Sequence, residues 1–354
     1  MVIVLAAALV ATVAVGGWFG WRAWQRTALE EAVGTLPEST LRATWTDWAQ
    51  VRSLAGGSSL GSSSSTRDVS RFVDRAYEQD LTSTSAVVDG TYVLNRRFGF
   101  SPIDATWEAY GQSREGAVAV MRFEDSVDLD GVERNLRRLG YTPPSGGAGS
   151  GGVWAGSADL VATIDLSLTP VMQNVVVLPG KRLVLLSDSR SYASAAASAA
   201  TGSAEGLDSV AGVSSLAAAA GEPVSAVLLA SDFACEAAGM ASADEEDQAA
   251  AEDLISSAGG VSPLAGLVVA LDPDRSVTVG MHFESSSQAS GDLRPRLRLA
   301  SGEAPGQGGT FAERFRVAEA VADGNEIVLD LRPAEDDSPL LSDLTQGPLL
   351  FASC

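Results

Sequence analysis

The sequence predicts an α+β fold with a mostly antiparallel sheet, built from hairpins with intervening helices, behind one N-terminal transmembrane helix. Three observations carry this. Apolar runs come in pairs around turn residues at 175–186, 267–283 and 316–331, and strands joined by a tight turn run antiparallel. Helical apolar patterns lie between these hairpins rather than forming crossovers, which disfavours a doubly wound α/β sheet. Residues 2–21 carry no charged side chain. At about 1.5 Å per residue such a run spans a hydrocarbon core of roughly 30 Å.

The elements follow in order. Residues 1–25 form the expected anchor. Trp18, Trp21 and Trp24 recur at helical spacing, where indoles favour the headgroup level. The exit, with Trp18, Phe19, Trp21 and Arg22, is bulky and basic and offers no small-x-small cleavage site; it reads as an uncleaved signal anchor. Residues 26–66 are a juxtamembrane segment ending in a Ser/Gly-rich linker. Within it Leu41, Ala43 and Trp45 alternate with Arg42, Thr44 and Thr46, the period of a strand. Trp48, Val51 and Leu54 then suggest a short helix, and 56–66 is a loop by composition.

Residues 67–204 make a first α+β half. Val69, Phe72, Val73, Ala76 and Leu81 mark a helix face, and a weaker helical pattern covers 86–98. Ser101-Pro102 reads as a helix start, predicting a helix to about Tyr110 that buries Ile103 and Trp107. Residues 117–123 read as a strand. A helix opening at Asp128 shows Val132, Leu136 and Leu139 and stops at Gly140. A glycine-rich loop (145–152), a hairpin around Pro179-Gly180 and an Ala-rich helix (192–200) complete the half.

Residues 205–354 make the second: a strand at 224–230, an acidic helix at 243–256 and a hairpin around Asp272-Pro273-Asp274. A basic helix at 293–300, a hairpin around Asp323-Gly324-Asn325 and a terminal strand at 349–352 follow. Strand, helix, hairpin, helix thus occurs twice, with 117–123 matched to 224–230, a grammar that allows an internal duplication.

Charge narrows the function. The net charge is −21 and Lys181 is the one lysine. So acidic a chain repels phosphate backbones, which excludes nucleic acid as a partner class. Its richness in Ala, Gly and Arg points to a high-GC bacterial genome. Arg22 and Arg26 follow the apolar run, and positive-inside taken alone would keep the domain in the cytoplasm. The acidic, Ser/Gly-rich body argues for the outer side, which is the expectation adopted. The two cysteines, Cys235 and Cys354, are then expected to pair, tying the C-terminal segment to the first strand of the second half.

The chemical motifs read as structural. Gly57-Ser58-Ser59-Leu60-Gly61 fits the nucleophile elbow, but it lies in a Ser/Gly tract and the chain has a single histidine, His282. Gly147, Gly149 and Gly152 fit G-x-G-x-x-G without a helix to follow. Ser126–Gly131 lacks the first-position acid and twelfth-position Glu of a calcium loop, so helix capping accounts for it better. Asp244-Glu245-Glu246-Asp247 suits the positive end of a helix. One His and two Cys do not make a zinc site. No catalytic, cofactor-binding or metal-ligating residue is singled out, and no cofactor is expected. The function expected is a non-catalytic binding or interaction domain of the bacterial cell envelope, with an envelope protein or cell-wall component as partner. The alternative is a carboxylate-dependent envelope hydrolase, whose two acids need no local motif.

Overall fold

The computed structural model describes residues 26–61, 63–147, 149–336 and 338–354. The expected anchor, residues 1–25, lies outside the described residues. No helix among those described is long and apolar enough to cross a membrane.

Eleven strands form one open sheet. They are β1 (Arg42–Thr46), β2 (Ala105–Gln112), β3 (Ala117–Phe123), β4 (Val153–Ala155), β5 (Asn174–Leu178) and β6 (Leu183–Ser187), then β7 (Ser225–Ala230), β8 (Gly266–Leu271), β9 (Val277–His282), β10 (Phe315–Asp323) and β11 (Glu326–Pro333). Their order is β10-β11-β9-β8-β7-β1-β2-β3-β6-β5-β4. Every pairing is antiparallel. The expected α+β class and antiparallel sheet are therefore present. The three hairpins read from the sequence are β5–β6, β8–β9 and β10–β11, and β2–β3 is a fourth.

The centre of the sheet is β1 against β7, with Thr44 opposite Val227. Outward from β1 the chain lays down a hairpin (β2–β3), then a second one (β5–β6) whose later strand sits inside. Outward from β7 it does the same with β8–β9 and β10–β11. The repetition is thus offset from the one expected. The partner of β7 is β1, inside residues 26–66, and not the strand at 117–123. The sequence pattern slipped by one hairpin because 105–112 reads as helix.

Two layers cover the sheet. On one face lie α1 (Ala28–Val33), reaching the sheet through Leu29, Ala32 and Val33, then α6 and α7. These last are Arg190–Thr201 and Val213–Ala220, and α7 packs on α1. On the other lie α2 (Trp48–Leu54), α3 (Thr66–Glu78), α4 (Leu129–Leu139), α5 (Ala158–Ile164), α8 (Phe233–Ala238), α9 (Glu245–Ala258), α10 (Ser286–Leu299) and α11 (Leu340–Gln346). The helix starts are chemical: Thr27 and Ser285 make capping boxes, and Asp47, Ser65, Asp128 and Ser157 accept from the third helical N–H. Gly140 ends α4 in the left-handed conformation, as its position predicts. Helix α6, after the β5–β6 hairpin, stays on the first face. Helix α11, after the β10–β11 hairpin, crosses to the second and packs against β8.

Two expected elements take other forms. Residues 102–104 make one 3-10 turn and 105–112 are strand. Trp107 and Ala109 go to the first face, where Trp107 meets Trp45 at 5.6 Å, while Glu108 and Tyr110 go to the second. The expected terminal strand is a 3-10 turn, Leu350–Ala352.

Candidate functional site

The site lies where the two sides of the sheet meet, on the second face. Strand alternation sends Ala43 and Trp45 of β1 into the first layer and turns Arg42, Thr44 and Thr46 toward the second. β2 contributes Glu108, Tyr110 and Gln112 there, and β7 contributes Ser225, Val227 and Leu229. The seam is therefore polar on β1 and β2 and apolar on β7 and β8.

One end of the seam is sealed by residues 79–86. Thr44 Oγ1 donates to the Thr84 carbonyl at 2.6 Å, and the Thr46 and Thr84 hydroxyls meet at 2.7 Å. Ser225 Oγ donates to the Leu81 carbonyl at 2.8 Å. Glu108 is buried and accepts three hydrogen bonds: from Trp48 Nε1 at 3.0 Å, Ser85 Oγ at 2.7 Å and Ala86 N–H at 2.7 Å. Burial nonetheless pushes its carboxyl up, with those three donors opposing. Both its oxygens are engaged by the fold, so Glu108 anchors the strap rather than facing a substrate.

The other end is open. Arg42 stands at the rim of an apolar cavity of about 200 Å³, walled by Val227, Leu229, Phe233, Ala238, Val269 and Leu344. The cavity exists because α11 crosses to this face and brings Leu344 over β7 and β8. Among the described residues the Arg42 guanidinium has no hydrogen-bond or ion-pair partner. Burial pulls it below the usual arginine range, with the nearby Tyr110 hydroxyl opposing. Across the ladder from Arg42 is Gln112. Beyond it a polar cleft of about 480 Å³ opens, lined by Tyr110, Gln112, Ser113, Asp188 and Ser189. An apolar hole, one cation and a wet cleft thus follow one another along the seam.

The residues singled out in the sequence fall elsewhere. Cys235 and Cys354 form a disulfide, with Cα atoms 5.7 Å apart. It joins α8 to the turn at Leu350–Ala352, whose lead-in Leu349 N–H donates to the Ala238 carbonyl at 2.7 Å. Gly57 of the G-x-S-x-G match lies so close to the Phe72 ring that an added Cβ would stand 2.6 Å from it. His282 pairs instead with Glu326 across β9 and β11 at 2.9 Å. Gly149 N–H donates to Glu133, and the short strand β4, not a helix, follows the glycine loop. Asp128 and Asp244 cap helices. Asp272 and Asp274 both accept from the Ser276 hydroxyl, within their own hairpin turn. Among the described residues no group of three or more His, Cys, Asp or Glu is arranged to hold a metal. Sequence reasoning missed Arg42 because its alternation with Thr44 and Thr46 resembles the wet side of a half-buried strand. Only the pairing of β1 with both β2 and β7 buries that side.

No protein-family model matches the chain, and no curated protein matches it. Among solved structures, crystal form I of TP0453 aligns with a TM-score of 0.36 at 8% identity, over 89% of this chain and 98% of that one. A likeness that low carries no argument about function.

Proposed function

We propose that this chain is a non-catalytic binding domain of the bacterial cell envelope, held at the membrane by the apolar segment before Arg26 and facing outward, with the seam as its ligand site. The observation that carries the reading is the unpartnered Arg42 beside an apolar cavity. Binding sites favour junctions between structural units, and are apolar with a few oriented polar groups. The Cys235–Cys354 disulfide supports an oxidising compartment, since such bonds persist outside the cytosol. The buried Glu108, held by three donors of the fold, supports binding over hydrolysis. We further read the chain as two copies of one unit dividing near residue 205, with β1 in the first. The matching strand order on either side of the seam supports this.

The test is native extraction of the full chain in lipid nanodiscs, with mass spectrometry of what is retained. A species held by the wild type and absent from a cavity-filled Val269→Trp variant of unchanged circular dichroism is the expected result. Identical retained species in both proteins would overturn the assignment of the seam.

A further inference from the structure

The seam has a definite chemistry, and this inference rests on its being the ligand site. A charged group withdrawn from water without a partner is costly, and structures normally pair it. Arg42 is half-buried, its guanidinium keeps contact with solvent at the rim, and among the described residues it has no protein partner. The groups that face it from neighbouring elements are the Tyr110 hydroxyl and Gln112 from β2, neither of which is a carboxylate. The β7, β8, α8 and α11 side chains around the cavity include Val227, Leu229, Val269, Phe233, Leu344 and Thr345, none of them charged. A guanidinium presents a planar fork of donors that fits a carboxylate or phosphate with two bonds. The cavity behind it is walled mainly by apolar side chains, with Thr345 and Gly347 on its α11 side. An apolar cavity of about 150 Å³ stays dry and holds benzene. The space of about 200 Å³ here therefore takes one ring, or an alkyl group of roughly six to eight carbons.

We propose that the seam binds a single-tailed organic anion, with its anionic head on Arg42 at the mouth of the polar cleft and its tail in the cavity beneath α11. The size of the cavity excludes a two-chain lipid, and its apolar walls give inorganic phosphate nothing to gain. A free acid and the tail of a single-chain lipid share this chemistry and differ in length.

The experiment is calorimetric titration of the full chain in zwitterionic nanodiscs, with empty nanodiscs as the partition blank. The probes are hexanoate, 1-hexanol, inorganic phosphate and hexadecanoate. Charge-assisted hydrogen bonds contribute about 1.5–3 kcal/mol. Hexanoate is therefore expected to bind about 10- to 100-fold more tightly than hexanol, with no heat from phosphate. Arg42→Gln is expected to bring the hexanoate-to-hexanol ratio to about one, and Arg42→Lys to retain a preference for the acid. Val269→Phe, which fills the cavity, is expected to abolish both. Hexadecanoate binding no tighter than hexanoate identifies a short free acid as the ligand type. Tighter binding identifies a longer lipid tail that runs on past the cavity, away from the polar cleft. Equal affinity for acid and alcohol in the wild type would overturn the role of Arg42. So would an acid preference that survives Arg42→Gln with its melting temperature unchanged. If such a failure came while the nanodisc extraction still showed a species lost with Val269→Trp, the seam would stand as a site and the ligand chemistry would fall.

Discussion

Arg296 shows how this protein keeps a buried charge when it has partners. Its side chain has no exposed surface. Nε donates to Asp292 at 3.2 Å, and the two other guanidinium nitrogens donate to the carbonyls of Phe351 at 2.7 Å and Ser262 at 2.6 Å. Its plane lies 5.1 Å from the centre of the Phe283 ring. Burial pulls it down to about 10, with Asp292 opposing, so it stays charged at neutral pH. Arg296→Ala would leave the Phe351 and Ser262 carbonyls without this donor, and the buried Asp292 charge with only the Ser262 N–H and hydroxyl. A loss of about 3–5 kcal/mol is expected by urea unfolding, and a loss under 1 kcal/mol would show that water replaces the guanidinium.

Glu108 makes a pH-dependent case. Burial raises its carboxyl, so the fold favours the protonated form. Its contribution to stability is fully present below the unfolded carboxylate range and is lost as pH rises through the raised folded value. Glu108→Gln, close in shape to the protonated acid, is expected to lie within about 1 kcal/mol of wild type in mild acid. It should gain on the wild type as pH rises. Urea unfolding across pH measures this, and the opposite trend would mean that Trp48, Ser85 and Ala86 outweigh burial.

At the scale of elements, what the sequence revealed depended on how local the determinants were. Turn chemistry at Pro179-Gly180, Asp272-Pro273-Asp274 and Asp323-Gly324-Asn325 is contained in a few residues, and each is a hairpin in the fold. The stretch 105–112 was not legible because Ser101-Pro102 starts a real helical turn that ends at Asp104. What extends β2 is pairing with β1 and β3, more than local propensity. The terminal segment has strand-like composition but is held by the Ala238 carbonyl and Arg296, neither of them near in sequence. The disulfide spans a sequence separation of 119 residues. Loop closure of that length is worth about 4–5 kcal/mol by chain entropy. Cys235→Ser with Cys354→Ser is expected to lower stability by up to that amount and to loosen the turn at 350–352. Alkylation of denatured, unreduced protein from intact membranes is expected to find no free thiol. Two thiols per chain would remove both the bond and its support for an outward-facing domain.

The whole molecule has two similar sides but no separate cores. One apolar cluster contains Phe100 and Phe123 from the first side together with Phe283 and Phe315 from the second. The other joins Leu29 and Ala32 to Val213 and Leu216. The repeated strand order was visible in the sequence as a rhythm, and its register was not, because β1 sits in a segment that reads as a membrane-proximal linker. Shared cores predict a single thermal transition with matching calorimetric and van't Hoff enthalpies. Two resolved transitions would show that the sides unfold independently.

The strap at 79–86 carries a further consequence, for the order in which the chain is made. It is gripped from far downstream. Ser225 reaches Leu81 across 144 residues, Arg275 reaches the Gln79 carbonyl across 196, and Ser342 reaches Asp80 across 262. β1 likewise awaits β7. A chain made from its N-terminus therefore emerges with its central strand half-paired and its strap untied. Its early apolar segments therefore stay without their downstream partners until Ser342 has been added, the period in which exposed apolar surface is most open to misassembly.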